Sequence, residues 1–444
     1  MSLWLYSLGW WIATPLVVLY LLWRARRQPE YLAHWRERWG FFPRRPDDQP
    51  LVWVHAVSVG ETRAAQPLVE ALLARDPEIR VLLTHMTPTG RETGRALFSR
   101  RFGDRVVQCY LPYDGAFAPR RFLRAWRPSI GILMETELWP NLCAAAARAR
   151  VPLTLVNARL SERSLRKGLR WRALLEPALR SLACVVAQSD ADAERIDRLF
   201  ENRYEKENLK APRRVRVSGN LKFDVRPDEA LLARGLTWRA ALRGRPVVLA
   251  ASTRDGEEEL LLEAWRTRAV EGLLVVVPRH PQRFDEVAAL LEHGGLRIAR
   301  RSRLDQTFGN LDHSRVDVLL GDSMGEMFAW YAMADVAIIG GTLLPFGGQN
   351  LIEACAVGVP VILGPSTFNF EDAAEAAVAA GAALRVADAR AAIAAAGRLL
   401  DDPDTRGRIA RDASGFANRH RGATQRTVDA IGGLLRGIGR SSAP

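Results

Sequence analysis

LVWVHAVSVGETRAAQPLVEALL, residues 51 to 73, changes its hydrophobic period part-way along. Leu51 to Ala56 is an apolar run of strand length. From Thr62 onward the apolar residues recur at Ala65, Leu68, Val69, Leu72 and Leu73, which is helical spacing. The segment reads as a strand feeding a helix, with one carboxylate, Glu61, at the join beside Gly60. Two readings of that acid stand side by side. An acid in a first helical turn complements the helix dipole, and acids are common there. An acid just beyond a strand of an open α/β sheet also lies where such sheets bind their ligands.

The same alternation continues along the chain. The first half carries RVLLTH (Arg80 to His85), IGILMET (Ile130 to Thr136), LTLVNA (Leu153 to Ala158) and CVVAQS (Cys184 to Ser189). The second restarts with PVVLAAS (Pro246 to Ser252) and runs through LLVVVPR (Leu273 to Arg279), DVLLGD (Asp317 to Asp322), VAIIGG (Val336 to Gly341) and PVILGP (Pro360 to Pro365). Strands spaced by helices in this way build parallel, doubly wound sheets. A chain of 444 residues is too long for one core. The pattern therefore predicts two Rossmann-like α/β domains facing a cleft, divided near Phe223 to Arg245. The expected organisation is an N-terminal membrane anchor at 1–25, a first domain at 26–225 and a second at 226–444.

Hydrophobic residues at 48% and charged residues at 25% mark a globular chain. A net charge of +13 calls for an anionic partner, without choosing among nucleic acid, a membrane surface and phosphorylated substrates. No RNP-like aromatic motif or zinc finger supports nucleic acid. Cys109, Cys143, Cys184 and Cys355 are far apart, without C-x-x-C spacing, which favours buried free thiols over disulfides or zinc. Leu3 to Trp23 contains no charge and is long enough to cross a hydrocarbon core of about 30 Å as a helix. Arg24, Arg26 and Arg27 follow at once, and no basic residue precedes the span. The positive-inside rule then leaves the rest of the chain in the cytoplasm. Pro15, Ser7 and Thr14 keep open a helix lying in the interface instead.

Neither G-x-x-x-x-G-K-[ST] nor a G-x-G-x-x-G after the first strand is present, which removes support for ATPase and simple NAD-binding readings. Asp190 and Asp192 form a D-x-D triplet, but SDADAERI reads as a capped helix start. The histidines are dispersed and H-E-x-x-H is absent, so no metal site is expected. Three strand-end loops of the second half suit a nucleotide: Arg279 and His280 as phosphate donors, the GDSMGE turn, and GGTLLPFGGQNLIEA with Asn350 before a helix and Glu353 in its first turn. In the first half, METELWPN sets Glu135 and Glu137 at a strand end, and NLKFD offers Lys222 near the domain boundary. Ser252 and Thr253 precede a helix and suit either capping or an anion. Between Arg159 and Arg180 lie Arg163, Arg166, Lys167, Arg170 and Arg172, a solvated helix face or a surface for membrane phosphates.

VHAVSVGET, MTPTG, LPYD, METELWPN, NARLSERS, GNLKFD, ASTRDGEE, PRHPQRF, GDSMGE, GGQNLIEA and GPSTFNF occur in the order seen in the Kdo transferases of lipopolysaccharide biosynthesis, which this chain resembles over nearly its whole length. The resemblance implies an inverting GT-B glycosyltransferase that moves Kdo from CMP-Kdo to the lipid A precursor, lipid IVA, without cofactor or metal. It implies Glu61 as general base and Glu135 and Lys222 as transition-state stabilisers. Arg279, His280, Met324, Gly325, Glu326, Asn350, Leu351, Ile352 and Glu353 match its CMP-binding segments. It further implies an inner-membrane protein with its catalytic domains on the cytoplasmic side, at an anionic surface and without nucleic acid. Arg254 and Gln349 depart from the pattern, since histidine is usual at both places. A GT-B enzyme using a UDP-sugar, or a tethered binder of anionic polymers, are the alternatives.

Overall fold

The computed structural model describes residues 3–26, 28–47, 49–200, 215–224, 226–267 and 272–436. The chain divides into two compact units, Met1–Asp224 with Arg421–Pro444, and Val225–His420.

The first unit is built on a seven-stranded parallel sheet in the order β3-β2-β1-β4-β5-β6-β7. Its strands are β1 (Leu51–His55), β2 (Arg80–His85), β3 (Val106–Tyr110), β4 (Ile130–Met134), β5 (Leu153–Ala158), β6 (Leu182–Ala187) and β7 (Val215–Val217). Every residue of β1 is buried, because alternate side chains enter different cores. Val52 and Val54 join a cluster with Leu68 and Leu72 of the helix α2 (Val59–Arg75), whereas Leu51 and Trp53 join another with Phe122 and Leu142. Burial on both faces is what makes a parallel strand read as an unbroken apolar run.

The N-terminal helix α1 (Leu3–Ala25) has a mean hydropathy of 1.6 and buries only 6% of its most apolar window. Trp4, Trp11, Ile12, Leu16, Leu19 and Trp23 are exposed along it. Its polar residues have partners. The Thr14 hydroxyl donates to the Trp10 carbonyl at 2.7 Å. That of Ser7 donates to the Leu3 carbonyl at 2.9 Å and to Asn141 Oδ1 at 3.1 Å. With the Trp10 ring 5.9 Å from that of Tyr113, α1 is fastened to the first unit by its side chains.

The second unit repeats the design in the order β10-β11-β9-β8-β12-β13-β14, all parallel. Here the strands are β8 (Val247–Thr253), β9 (Leu273–Pro278), β10 (Ile298–Arg300), β11 (Val318–Leu320), β12 (Val336–Ile339), β13 (Val361–Leu363) and β14 (Ala383–Arg385). The division between Asp224 and Val225 falls where the sequence changes character, but the chain end differs from the sequence reading. The last helix, Ala423–Arg436, does not continue the second unit. It returns to the first, where Ala423, Val428, Ile431 and Leu435 enter the core cluster that contains α2.

Asp224 holds that returning helix, accepting from the Gly422 amide at 2.6 Å and from the Thr424 amide. Removing such a cap costs about 1–2 kcal/mol. Asp224→Ala should therefore speed amide hydrogen exchange across Ala423–Arg436 by roughly tenfold, with strand amides of the second unit unchanged. Unaltered exchange in the helix would show that its apolar face alone secures it.

Candidate active site

Glu61 is the third residue of α2, and its surroundings explain why an acid stands there. Ser58 caps the helix and accepts from the Glu61 amide at 3.4 Å. The Glu61 carboxylate answers by accepting from the Val57 amide at 2.9 Å and from the Ser58 hydroxyl at 3.1 Å. This resembles a capping box, with the amide of the residue before the cap in place of the cap's own, so the structural reading of the acid is realised. Its electrostatics go beyond a cap. Burial pushes the carboxyl up to about 7, and the charges of Glu135 and Glu137 push the same way, against the Val57 amide and the Ser58 hydroxyl. An exposed cap stays ionised at neutral pH, whereas this carboxyl is balanced between its two states.

Glu135 follows β4 with φ 55°, a left-handed conformation that costs a side-chain-bearing residue about 1–3 kcal/mol. The bend is fixed by its amide, which donates to the Val156 carbonyl at 3.0 Å. The carboxylate is 7% exposed at the residue level and divides its oxygens between two cations. Lys222 Nζ stands 3.2 Å from Oε1, and Arg159 Nε lies 3.1 Å from Oε2. Glu137 turns aside and accepts from the Trp139 indole at 2.9 Å; burial raises its pKa, and Glu135 adds to the effect.

Lys222 is carried by a short turn pinned from within. Leu221 N–H donates to Asn157 Oδ1 at 2.9 Å, and Lys222 N–H to Asn220 Oδ1 at 3.0 Å. Asn157 has φ 53°, a conformation asparagine tolerates better than most residues. The first unit thus gathers Glu61, Glu135 and Lys222 at the carboxyl edge of its sheet. Sequence reasoning missed the supporting residues Arg159, Asn157 and Asp114. The Asp114 carboxylate accepts from the Asn141 and Leu142 amides at 2.9 and 2.8 Å, and burial pushes it up to about 7. Its place in LPYD, just beyond a strand, was the available signal.

In the second unit the predicted residues follow β9, β11 and β12. The Glu326 carboxylate is fully engaged: Arg301 donates to both oxygens at 3.1 and 3.0 Å, Arg234 at 2.9 Å and the Ser323 hydroxyl at 2.5 Å. Asp322, at the other end of this turn, accepts from Arg300 at 2.7 Å and from the Ser302 amide at 2.8 Å. Between these clamps lie Met324, exposed, and Gly325, at φ 83°. Asn350 accepts from the Ile352 amide at 3.0 Å and donates to Glu353 at 3.2 Å. Leu351 and Ile352 are buried, so only their backbone can face a ligand.

Arg279 Nε donates to Gln349 at 3.1 Å, joining β9 to the glycine-rich loop. That loop approaches closely, since a Cβ on Gly340 would lie 2.3 Å from the Ser252 carbonyl oxygen. Thr253 is buried and donates to Glu258 at 2.7 Å, so it neither caps the helix nor meets an anion. The D-x-D acids lie in the first turn of a capped helix: Ser189 accepts from the Asp192 amide at 3.1 Å, and Asp192 accepts from the Ser189 hydroxyl at 2.6 Å and from the Leu160 amide at 2.8 Å.

Residues 33–225 match the family described as 3-deoxy-D-manno-octulosonic-acid transferase (kdotransferase). The 3-deoxy-D-manno-octulosonic acid transferase of Bordetella pertussis is 48% identical over 428 residues, covering 94% of this chain and 96% of the relative. That of Haemophilus influenzae is 35% identical over 426 residues, covering 95% and 96%. Among solved structures, Anabaena Alr3699/HepE in complex with UDP aligns at a TM-score of 0.55 with 13% identity, covering 86% of this chain and all of that one. That likeness concerns the fold, two doubly wound parallel sheets of the GT-B type.

The raised Glu61 value has a sign in stability. Its ordinary value is 4.5, so the folded chain binds more protons than the unfolded chain between about pH 4.5 and 7, and ionisation lowers stability across that window. Glu61→Gln keeps an acceptor for Val57 without the charge. Relative to wild type, it should gain about 1–3 kcal/mol at pH 8 over its difference at pH 4.5. Urea unfolding at both pH values checks this, and a pH-independent difference would contradict it.

Proposed function

This chain belongs to the 3-deoxy-D-manno-octulosonic acid (Kdo) transferase family, and we propose that it moves Kdo from CMP-Kdo to the lipid A precursor, lipid IVA, with inversion at the anomeric carbon. It is a glycosyltransferase of lipopolysaccharide biosynthesis. The observation that carries the finer reading is the Glu61 carboxyl, held at a strand end with its pKa pushed up to about 7. A general base is most effective when its pKa lies near the working pH.

The acceptor hydroxyl oxygen bonds to the anomeric carbon as the bond from that carbon to the phosphate oxygen breaks. The hydroxyl proton passes to Glu61, and CMP leaves with the bonding electrons. Glu135 offsets positive charge developing on the sugar ring, and Lys222 offsets the negative charge of the departing phosphate. Their mutual pairing at 3.2 Å fixes the two side chains relative to each other. Arg279 and His280 take the phosphate, and Glu353 accepts from the ribose hydroxyls. Because the Glu326 carboxylate is consumed by arginines, Met324 to Glu326 contribute backbone amides. In this reading no metal is required, the positive charge coming from side chains.

The acceptor is a lipid, and α1 with the basic helix Glu162–Arg170 suits an anionic inner-membrane surface on the cytoplasmic side. Leu165 is the fully buried residue of that basic helix, and Arg163, Arg166, Lys167 and Arg170 are all exposed. Each such charge contributes about 1 kcal/mol near an anionic bilayer.

Glu61→Gln should reduce kcat by about 10²- to 10⁴-fold. CMP affinity should remain unchanged, and the wild-type kcat/KM should rise with pH through about 7 to a plateau. Wild-type turnover by the variant with CMP-Kdo and lipid IVA would remove Glu61 as the base. Replacing Arg163, Arg166, Lys167 and Arg170 with glutamine should abolish the salt-sensitive part of binding to anionic vesicles and leave the part due to α1. Sedimentation at low and high salt reads both parts, and an unchanged salt response would return that helix to a solvated surface.

A further inference from the structure

We propose that Arg254 is the receptor for the carboxylate of the donor sugar, a position distinct from the phosphate contacts of Arg279 and His280; the inference rests on the donor reading above. In the second sheet β8 lies between β9 and β12. Arg254, which follows β8, therefore stands between Arg279 and His280 on one side and the glycine-rich loop on the other. Its backbone is fixed by Glu257, a fully buried acid whose Oε2 accepts from the Arg254 amide at 2.9 Å and from the Gly341 amide at 2.6 Å. Oε1 of the same acid accepts from the Leu343 amide at 3.0 Å, so one side chain ties the two loops together. The strand end is also bent, with Ser252 at φ 59°.

The guanidinium itself is placed differently from its neighbours. It stands 4.8 Å from the centroid of the Phe346 ring, and no carboxylate among the described residues pairs with it. Nearby Arg283, by contrast, is spent on Glu258 at 2.8 Å, Glu286 at 3.1 Å and Asp255 at 3.3 Å. The local excess of positive charge registers on His280, whose pKa is lowered by burial and then by Arg254, Arg279 and Arg283. A guanidinium over an aromatic ring, with its hydrogen-bond donors uncommitted to acids, is suited to a planar carboxylate.

The chemistry of the sugar supplies the spacing. In an ulosonic acid the carboxylate is bonded to the anomeric carbon, which in the activated donor also bears the phosphate. The two anions are then separated by that single carbon, and cations from neighbouring strands about 4.8 Å apart are set to meet one each. An activated sugar lacking the carboxylate would leave Arg254 without its partner.

The test uses the full-length protein in detergent with Arg254→Gln and Arg254→Lys, reading CMP affinity by calorimetry and kcat and KM for CMP-Kdo by turnover. In Arg254→Gln, CMP affinity should stay within about twofold while the KM for CMP-Kdo rises about tenfold or more. Lysine, which keeps the charge but not the planar fork, should restore part of that loss. Equal losses in CMP affinity and in donor KM would assign Arg254 to the phosphate and overturn the proposal, as would an unchanged donor KM. Wild-type protein that binds no CMP would bring down the donor reading itself. Retained CMP binding in the glutamine variant also shows that its second unit is folded.

Discussion

A parallel sheet delivers every one of its strands to the same edge, and each chain must then turn back over a face through a helix. Polar backbone groups, helix starts and sharp turns therefore crowd along one rim in each unit, and something must satisfy them. Here buried and half-buried acids do much of that work. Glu61 closes the β1 turn, Asp114 holds the start of the helix Pro140–Arg148, Asp192 joins two loops, and Glu257 accepts from three backbone amides. The residues in left-handed backbone at these ends, Glu135, Asn157 and Ser252, mark where the turn is tightest. A rim dense in acids and strained backbone is a structural outcome of the sheet before it is a chemical one.

Chemistry enters where an acid is buried more than its hydrogen bonds compensate. Glu61 and Glu326 make the contrast. Glu326 is opposed by Arg301, Arg234 and the Ser323 hydroxyl, and those partners hold its carboxyl below the ordinary value despite burial. Among the described residues Glu61 has an amide and a hydroxyl but no paired cation, and it feels two other acids, so burial prevails and pushes the carboxyl up to about 7. A carboxylate neutralised by arginines shapes a loop. One left half-protonated beside Glu135 can exchange a proton at low cost. The surrounding charge separates the two carboxyls.

The apolar runs read from the sequence became the inner strands of both sheets. The strands it did not announce, β3, β7, β10 and β14, are the edges of the two sheets. An edge strand is covered on fewer sides, and the short ones show it: Val215 is buried while Arg216 and Val217 are exposed, and no residue of β10 is fully buried. Without two-sided burial there is no pressure for an unbroken apolar run, so the period carries no signal. Candidate site residues on strand ends were legible because strand ends could be located. Their partners were not, since Arg159 with Glu135, and Arg301 with Glu326, pair across sequence separations that no local pattern encodes. Thr253 misled for a related reason: a hydroxyl before a helix looks like a cap, and only the fold shows it bonded to Glu258 while Gly256 takes the cap position.

The return of the last helix follows from the same rim. Lys222 must hold an ammonium against a nearly buried carboxylate, and a lysine side chain loses considerable conformational freedom when so confined. Its turn is secured on both sides by contacts that are distant in sequence. Asn157 binds the Leu221 amide before it, and Asp224 binds the Gly422 and Thr424 amides after it. Arg426 then reaches back to the Ser218 carbonyl at 2.7 Å, closing the turn against the helix it begins. A chain that ended with the second unit would leave Asp224 without those amides and α2 without Val428 and Ile431. The C-terminal helix thus helps to fix the backbone of the Lys222 turn, and the position of Lys222 beside Glu135 depends in part on residues some two hundred positions further along the chain.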